Sequence, residues 1–226
     1  MIKINKVPMS KDEGIISINN WVMRLHRPDG IGPFPVLLML HGWTGDENSL
    51  WVFAPRLLKN ALMIAPRGLY TTTGGGYSWH LEISKPWPWV NDFLPAVENL
   101  FDTISSKNLP EGDFSELHIV GFSQGAALAY IMAILYPERV ASLAGLSGFL
   151  PDGASAWMGT AQLKGLPIFI AHGTTDELVP IERARMGVDL LEKSGATVTY
   201  CEDNVGHKLS AKCFQGLEAF YAQVNC

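Results

Sequence analysis

The sequence lacks features that would place it in several broad classes of protein. It contains no run of about 18 apolar residues, which a membrane-spanning helix requires, although 47% of its residues are hydrophobic. It contains no block of basic residues, and its net charge is −5, so we expect no nucleic-acid surface. The first residues, Met1 to Lys6, lack the apolar core of a secretory signal peptide, and this favours a cytoplasmic protein.

Cysteine is also scarce. The chain has three cysteines, Cys201, Cys213 and Cys226, and none of them forms a Cys-x-x-Cys pair. The odd number and the spacing argue against a disulfide framework and a zinc site, and they fit a reducing compartment. We therefore expect free thiols, with a Cys201–Cys213 bridge as the less favoured alternative. The histidines lack the spacing and carboxylate partners of metal ligands, so we expect no metal and no other cofactor.

Short apolar segments alternate with helical ones along most of the chain. An apolar run is typical of a strand buried on both faces of a parallel sheet. The alternation therefore predicts an α/β fold in one domain over residues 1–226, with a mostly parallel central sheet and helices on both faces. One of the predicted helices covers residues 47–58. Residues 71–89 form a long irregular loop that contains three tryptophans.

The segment around Ser123 indicates a nucleophile. An apolar strand ends in Gly121-Phe122-Ser123-Gln124-Gly125 and continues at once into a stretch of small residues that favours a helix. This Gly-x-Ser-x-Gly pattern is typical of a sharp strand-to-helix turn that exposes a serine hydroxyl above the sheet. Glycine is needed on both sides because a Cβ there would collide with the strand or the helix. A chance match to the pentapeptide is the alternative, and the strand and helix around it argue against chance.

A serine nucleophile needs a base and an acid that orients the base. His207 is our candidate base, because it lies on a loop between the last strand and the last helix. Asp176 is our candidate acid, because it follows a buried strand directly, and Asp152 is its rival. His41 and His172 also follow strands, but each precedes a glycine and is expected to support the backbone. In a parallel sheet the residues that follow the strands gather at one edge, so these side chains can meet.

Two backbone N–H groups are our candidates for an oxyanion hole. One belongs to Gln124, the residue after the nucleophile, and the other to Trp43, which follows the strand that ends at His41-Gly42. Gly42 permits a close approach of the backbone to a substrate. A tight turn without a catalytic role would explain the same residues.

The irregular loop at residues 71–89 is expected to line the substrate pocket. Its tryptophans and prolines would form a stiff apolar wall, with further apolar residues contributed by neighbouring turns. The alternative is that the tryptophans pack in the core. The candidate pocket residues are Trp79, Trp87, Trp89, Phe149, Leu150 and Val179.

Taken together, these motifs resemble the phospholipase/carboxylesterase family of α/β-hydrolases, which includes bacterial carboxylesterases and acyl-protein thioesterases. The similarity runs from about Pro35 to the C-terminus. It implies an α/β-hydrolase fold with Ser123, Asp176 and His207 as the catalytic triad. Trp43 stands where family members often have leucine, and Ala126 where they often have glycine. The motifs are Leu40–Glu47, Gly121–Ala126, Leu146–Pro151, His172–Pro180 and Gly206-His207.

The residues and the resemblance together predict a serine carboxylesterase that hydrolyses small to medium carboxylic esters through an acyl-enzyme. An acyl thioesterase or a lysophospholipase with the same triad is an alternative. A non-catalytic binding module of the same fold is a further one, although binding alone needs no base. We expect a small-molecule ester as the substrate, and a homodimer is one of the oligomeric states that the sequence leaves open.

Overall fold

The computed structural model describes residues 13–81 and 85–224. These residues contain ten strands and four α-helices. The expectations for Met1 to Lys6 and for Cys226 lie outside them. The strands are β1 (Glu13–Ile18), β2 (Trp21–His26), β3 (Phe34–Leu40), β4 (Leu62–Pro66), β5 (Tyr70–Thr71), β6 (Tyr77–Ser78), β7 (Gly112–Phe122), β8 (Val140–Leu146), β9 (Pro167–Gly173) and β10 (Thr197–Asp203). The helices are α1 (Val90–Thr103), α2 (Gln124–Leu135), α3 (Ile181–Lys193) and α4 (Ala211–Gln223).

Eight of the strands form one sheet in the order β1-β2-β4-β3-β7-β8-β9-β10. All neighbours from β4 to β10 are parallel, whereas β1 pairs with β2 and β2 with β4 in antiparallel fashion. The short strands β5 and β6 form a separate antiparallel pair. The predicted α/β fold with a mostly parallel central sheet is confirmed.

Strand β3 shows that the sheet is covered on both faces. Val36, Leu38 and Leu40 belong to an apolar cluster with α1 and α2, while Leu37 and Met39 belong to a second cluster with α4. All five side chains are fully buried, because successive residues of a strand point to opposite faces. An unbroken apolar run is therefore what this strand requires.

Helix α2 lies directly after Ser123 and is the most deeply buried helix in the described residues. All of its residues except Leu135 are buried. A helix that is apolar on all sides can be stable only inside the protein. Its alanines let the helix lie close to β7 and β8, which holds its first residue in a fixed place at the sheet edge.

The parallel strands end at one edge of the sheet, and this edge brings the candidate site together. The segments that follow β3, β7, β9 and β10 carry His41-Gly42, Ser123, Asp176 and His207. The topological rule for open α/β sheets predicts the location. The fold therefore assembles residues that are far apart in the sequence.

The predicted helix at residues 47–58 is wrong. This segment consists of successive turns and one short 3-10 helix, Ala54–Arg56. Its backbone hydrogen bonds join residues three apart, such as Phe53 N–H to Leu50 O at 3.0 Å and Arg56 N–H to Phe53 O at 3.0 Å. Pro55 opposes an α-helix across this segment, because it has no N–H and its ring would clash with a preceding carbonyl.

The expectation of free thiols is wrong for two of the three cysteines, because Cys201 and Cys213 form a disulfide. Cys201 lies in β10 and Cys213 in the first turn of α4. Helix α4 packs back against β10 and places the two Cα atoms 5.7 Å apart, within the range that a disulfide spans. The number and spacing of the cysteines do not show that α4 packs against β10, so the expectation based on them was wrong.

None of the helices in the described ranges is long and apolar enough to cross a membrane.

Loss of the Cys201–Cys213 bond should destabilise the protein. Closing a loop between residues 12 apart is worth about 3 kcal/mol in the chain-entropy model, or about 6 °C in melting temperature for a chain of this length. Thermal unfolding of the double variant Cys201→Ser/Cys213→Ser measures the effect, and Cys226→Ser is the control that leaves the bond intact. Equal melting temperatures for the double variant and the control would contradict this prediction.

Candidate active site

Ser123 occupies a strained turn between β7 and α2. Its φ of 53° and ψ of −115° lie outside the regions that L-residues favour. A Cβ on Gly121 would collide with the backbone of Gly125, and one on Gly125 would collide with the backbone of Leu40. The Ser123 N–H donates to the Leu146 carbonyl at 2.8 Å and ties the turn to β8. The two glycines are therefore a steric requirement of this turn.

Ser123, His207 and Asp176 form a continuous hydrogen-bonded chain. The distance from Ser123 Oγ to His207 Nε2 is 2.9 Å, and that from His207 Nδ1 to Asp176 Oδ2 is 2.7 Å. Since a carboxylate can only accept, Nδ1 carries the imidazole proton and Nε2 accepts from the serine hydroxyl. The histidine is thus in the tautomer that a general base toward Ser123 requires.

The carboxylate of Asp176 is fully buried and is surrounded by N–H donors. Its Oδ1 accepts from the backbone N–H groups of Leu178 and Val179, each at 2.9 Å. The rival acid, Asp152, is instead paired with Arg183 at 2.8 Å, and its side chain is 39% exposed. The structure therefore places Asp176 rather than Asp152 beside the candidate base.

His172 is a second imidazole beside the same carboxylate. Its Nε2 lies 2.8 Å from the Val179 carbonyl and 3.4 Å from Asp176 Oδ2, so Nε2–H is a donor to the turn that carries Asp176. Burial lowers the pKa of His172, and this outweighs the carbonyl and carboxylate, which raise it. A neutral imidazole therefore supports the acid, in line with the backbone role expected for His172.

His41 supports the loop that carries Trp43. Its Nδ1–H donates to the Gly42 carbonyl at 2.7 Å, and its Nε2 accepts from the Gly68 N–H at 2.9 Å. Both ring nitrogens are thus used by the backbone, and burial lowers the pKa of the imidazole. His41 holds this loop in place in its neutral form.

The two candidate oxyanion donors border the same cavity as Ser123. Gln124 is the first residue of α2, so its N–H has no partner within the helix. Neither this N–H nor that of Trp43 donates to a group in the described residues. Both remain available to an oxygen that approaches Ser123.

Sequence reasoning missed an ion pair that supports the Trp43 loop. Arg67 donates to both carboxylate oxygens of Glu47 at 2.6 and 2.7 Å, and it also reaches the Tyr77 hydroxyl at 3.2 Å. Burial raises the pKa of Glu47, but the hydrogen bonds from Arg67, a backbone hydrogen bond and the positive charge of Arg67 together outweigh it and hold that pKa below its ordinary value. Tyr77 in turn pairs through its backbone with Thr44 and Gly45, each at 3.0 Å. No local pattern marks these residues, because each partner comes from a distant segment.

A cavity of about 760 Å³ opens above Ser123. Its polar wall includes Thr71, Thr72, His80 and Lys85. Such a volume is in the range of small-molecule sites, and the lining is mainly apolar, as is usual for them. The apolar lining consists of Trp43, Pro86, Trp87, Pro88, Phe122, Phe149, Leu178 and Val179.

Three of the six candidate pocket residues, Trp87, Phe149 and Val179, line this cavity, and the other three do not. Trp79 is fully buried in the core, where its ring packs on His41 at 4.6 Å and its Nε1–H donates to the His41 carbonyl. Leu150 is buried in the core as well. Trp89 is 48% exposed, and its ring lies 5.5 Å from Lys85 Nζ. Trp89 also caps the N-terminus of α1, whereas Trp87 precedes that helix by two residues.

The described residues contain no group of three or more His, Cys, Asp or Glu side chains that could hold a metal ion. The side chains of Ser123, His207 and Asp176 are instead hydrogen-bonded to one another. The arrangement brings the candidate nucleophile, base and acid and the two candidate N–H donors around one cavity.

Comparison with known proteins identifies a matching family model. The model described as Phospholipase/Carboxylesterase matches residues 33–225. Acyl-protein thioesterase 1 of Mycosarcoma maydis is 40% identical over 189 residues, which is 72% of this chain and 78% of the relative. Carboxylesterase SOBER1 of Arabidopsis thaliana is 32% identical over 130 residues, or 56% of this chain and 57% of the relative. A relative from Oryza sativa subsp. japonica that is named a probable inactive carboxylesterase is 32% identical over 52% of this chain and 49% of its own length.

The matched segment thus spans about half the length of the plant relatives. Solved structures show the same fold over nearly the whole chain. The carboxylesterase of Bacillus cereus has a TM-score of 0.81 at 22% identity and covers 92% of this chain and 96% of its own. The carboxylesterase of Mesorhizobium loti has a TM-score of 0.79 at 22% identity and covers 94% and 100%.

The buried histidines should make stability fall in mild acid. Burial lowers the pKa values of His41, His118 and His172 below the ordinary 6.5. The unfolded chain then binds more protons than the folded one, so the free energy of unfolding decreases as pH falls below about 6.5. Urea unfolding between pH 8 and pH 5.5 measures this. In His118→Asn, which removes one titrating group, the decrease should be smaller, and a flat profile for the unaltered protein would refute the prediction.

Proposed function

Because the chain belongs to the phospholipase/carboxylesterase family, we propose that it is a serine carboxylesterase for small to medium carboxylic esters. The fold and the family support a hydrolase. The observation that carries the proposal is the chain of hydrogen bonds from Ser123 through His207 to Asp176, at 2.9 and 2.7 Å.

The proposed reaction begins with attack of Ser123 Oγ on the ester carbonyl carbon, while His207 Nε2 takes the hydroxyl proton. The carbonyl oxygen becomes an oxyanion and accepts hydrogen bonds from the N–H groups of Trp43 and Gln124. His207 then gives its proton to the leaving alkoxide, and an acyl-enzyme remains. Water, deprotonated by His207, attacks this acyl-enzyme and releases the acid and the free serine.

Asp176 has two roles in this scheme. It fixes the Nδ1–H tautomer of His207, and its negative charge stabilises the imidazolium that forms during attack. Its carboxylate is held in place by the N–H groups of Leu178 and Val179, so it does not need to move during the reaction.

The cavity supports small to medium acyl or alcohol groups as substrates. Its volume is about 760 Å³ and much of its wall is aromatic. Trp87 forms part of that wall and is held between the Phe149 ring at 5.0 Å and the Arg183 guanidinium at 4.1 Å. A wall fixed in this way limits the length of chain that fits.

An acyl thioesterase is the second candidate, and the similarity to acyl-protein thioesterase 1 of Mycosarcoma maydis favours it. The same triad also serves a lysophospholipase. Initial rates on matched oxygen esters, thioesters and lysolipids separate these activities. A non-catalytic role, suggested by the relative named inactive, is opposed by the intact geometry around Ser123.

The cytoplasm is our proposed compartment, but the Cys201–Cys213 bond counts against it because disulfides persist mainly in oxidising compartments. Alkylation of thiols in intact cells decides the question. Three alkylated cysteines per chain support the cytoplasm, and one supports an oxidising compartment.

A homodimer is also proposed, and sedimentation of the purified protein tests it.

Ser123→Ala should abolish ester hydrolysis without unfolding the protein. Loss of the nucleophile is expected to lower kcat by a factor of about 10⁴ or more. Hydrolysis of p-nitrophenyl esters gives the rate, and labelling by a fluorophosphonate should be lost as well. Ser155→Ala, at an exposed serine away from the cavity, is the matched control and should keep full activity. Wild-type rates in Ser123→Ala would end the proposal.

Trp87→Ala should shift the preferred acyl chain toward longer esters, because it removes an aromatic side chain from the cavity wall. The measurement is kcat/KM across esters of increasing acyl length. Trp157→Ala, at a tryptophan that is 44% exposed and does not line the cavity, is the control. A lower melting temperature with an unchanged preference would show that Trp87 serves only the packing.

A further inference from the structure

His80 lies at the candidate active site but has no part in the proposed reaction. It lines the cavity, is 8% exposed, and packs edge-on against the Phe93 ring with centroids 5.0 Å apart. Its Nδ1 is 2.6 Å from the Leu81 carbonyl, and its Nε2 is 2.9 Å from Gln124 Nε2. Both ring nitrogens are therefore engaged, and one of them contacts the side chain of a candidate oxyanion donor.

Backbone groups at both ends of this network determine where every proton lies. The Trp79 N–H donates to Gln124 Oε1 at 3.1 Å, so the amide oxygen must face Trp79 and the amide NH₂ must face His80. The NH₂ group is a donor only, so His80 Nε2 must be the unprotonated acceptor. His80 Nδ1–H then donates to the Leu81 carbonyl, which can only accept.

Ser78 completes the network. Its Oγ donates to the His80 carbonyl at 2.8 Å and accepts from Gln124 Nε2 at 3.0 Å. The Gln124 amide is thus held by Ser78, Trp79 and His80, three successive residues. These contacts restrain the Gln124 backbone in addition to the packing of α2 against β7 and β8.

The same short segment also holds the other oxyanion donor. Tyr77 pairs through its backbone with the loop that carries Trp43, and Trp79 Nε1–H donates to the His41 carbonyl at 2.7 Å. Residues 77–80 therefore contact both segments that carry the candidate N–H donors. Donors stabilise a developing oxyanion only when they lie about 2.7–3.1 Å from it, so small displacements matter.

We propose that His80 is a positioning residue: its unprotonated Nε2 holds the Gln124 side chain and thereby aims the Gln124 N–H at the oxyanion. The proposal rests on the esterase function proposed above. Although His80 lines the cavity, the proposed role concerns the oxyanion, which forms only in the transition state, so its effect is expected on that state rather than on substrate binding. A loss of His80 Nε2 therefore lowers kcat and leaves KM nearly unchanged.

A matched pair of polar variants tests this. The amide of asparagine replaces the Nδ1 side of the ring, so His80→Asn keeps a donor toward Leu81 and leaves the Gln124 NH₂ without an acceptor. The longer His80→Gln places a carbonyl oxygen near the Nε2 position and restores that acceptor. We expect kcat to fall by about 10- to 100-fold in His80→Asn, which is no more than the fall expected when one oxyanion donor is removed. In His80→Gln we expect kcat to stay within about 3-fold of the wild-type value.

KM should change by less than about 2-fold in both variants. Their melting temperatures are the control for correct folding. Equal kcat values for the two variants would overturn the proposal. A rise in KM with an unchanged kcat would overturn it as well. Two-dimensional ¹⁵N NMR of the His80 ring in the unaltered protein supplies a readout that does not depend on catalysis. The Nδ1–H tautomer is expected, and the Nε2–H tautomer would overturn the proposal.

The failure of this inference can be told apart from the failure of the esterase function. Wild-type protein that neither cleaves esters nor reacts with a fluorophosphonate would refute the esterase and, with it, any catalytic effect of His80. Active wild-type protein with equal variants would refute the role of His80 alone.

Discussion

The strained backbone at Ser123 is the constraint on which the rest of the site depends. A residue with φ of 53° and ψ of −115° is costly by about 1–3 kcal/mol and persists only where its surroundings hold it. Here β8 accepts the Ser123 N–H, and the buried helix α2 begins at the next residue. Gly121, Gly125 and Gly148 allow this close approach, since a Cβ at any of them would collide with neighbouring atoms. The strain thus raises the hydroxyl above the sheet edge, where the other segments meet it.

The sequence is informative about this edge because its signals are local. Gly-x-Ser-x-Gly after an apolar run, and Asp176 and His207 after later strands, predict side chains that the parallel topology then brings within hydrogen-bond distance. The mostly parallel sheet follows from the alternation of apolar runs and helical segments. Parts that depend on a remote partner were not predictable. Arg67 with Glu47, and Cys201 with Cys213, are pairs that only the folded chain brings together.

Two errors show where local patterns mislead. Residues 47–58 have the apolar residues of a helix, but Pro55 and the burial of Leu50 and Leu57 against the sheet favour successive turns. Trp79 was expected at the pocket because it shares a loop with Trp87, yet its indole fits beneath the Trp43 loop and donates to the His41 carbonyl. Loop membership fixes the neighbourhood of a side chain but not its direction. A large aromatic with one donor is buried where that donor finds an acceptor.

The candidate site contains one buried carboxylate, Asp176, which forms no ion pair with a Lys or Arg in the described residues. Within the described residues, the partners of Asp176 are backbone N–H groups and the imidazoles of His207 and His172, and no Lys or Arg neutralises it. The pKa of His172 is lowered by burial, so that imidazole stays neutral and leaves the negative charge available to His207. The candidate acid is therefore held by fixed backbone dipoles, whereas the cavity wall at Trp87 is held by an aromatic contact and a cation–π contact. Leu178 and Val179 belong to both parts, because they line the cavity and their N–H groups hold the Asp176 carboxylate, so one turn sets the position of the apolar wall and of the candidate acid.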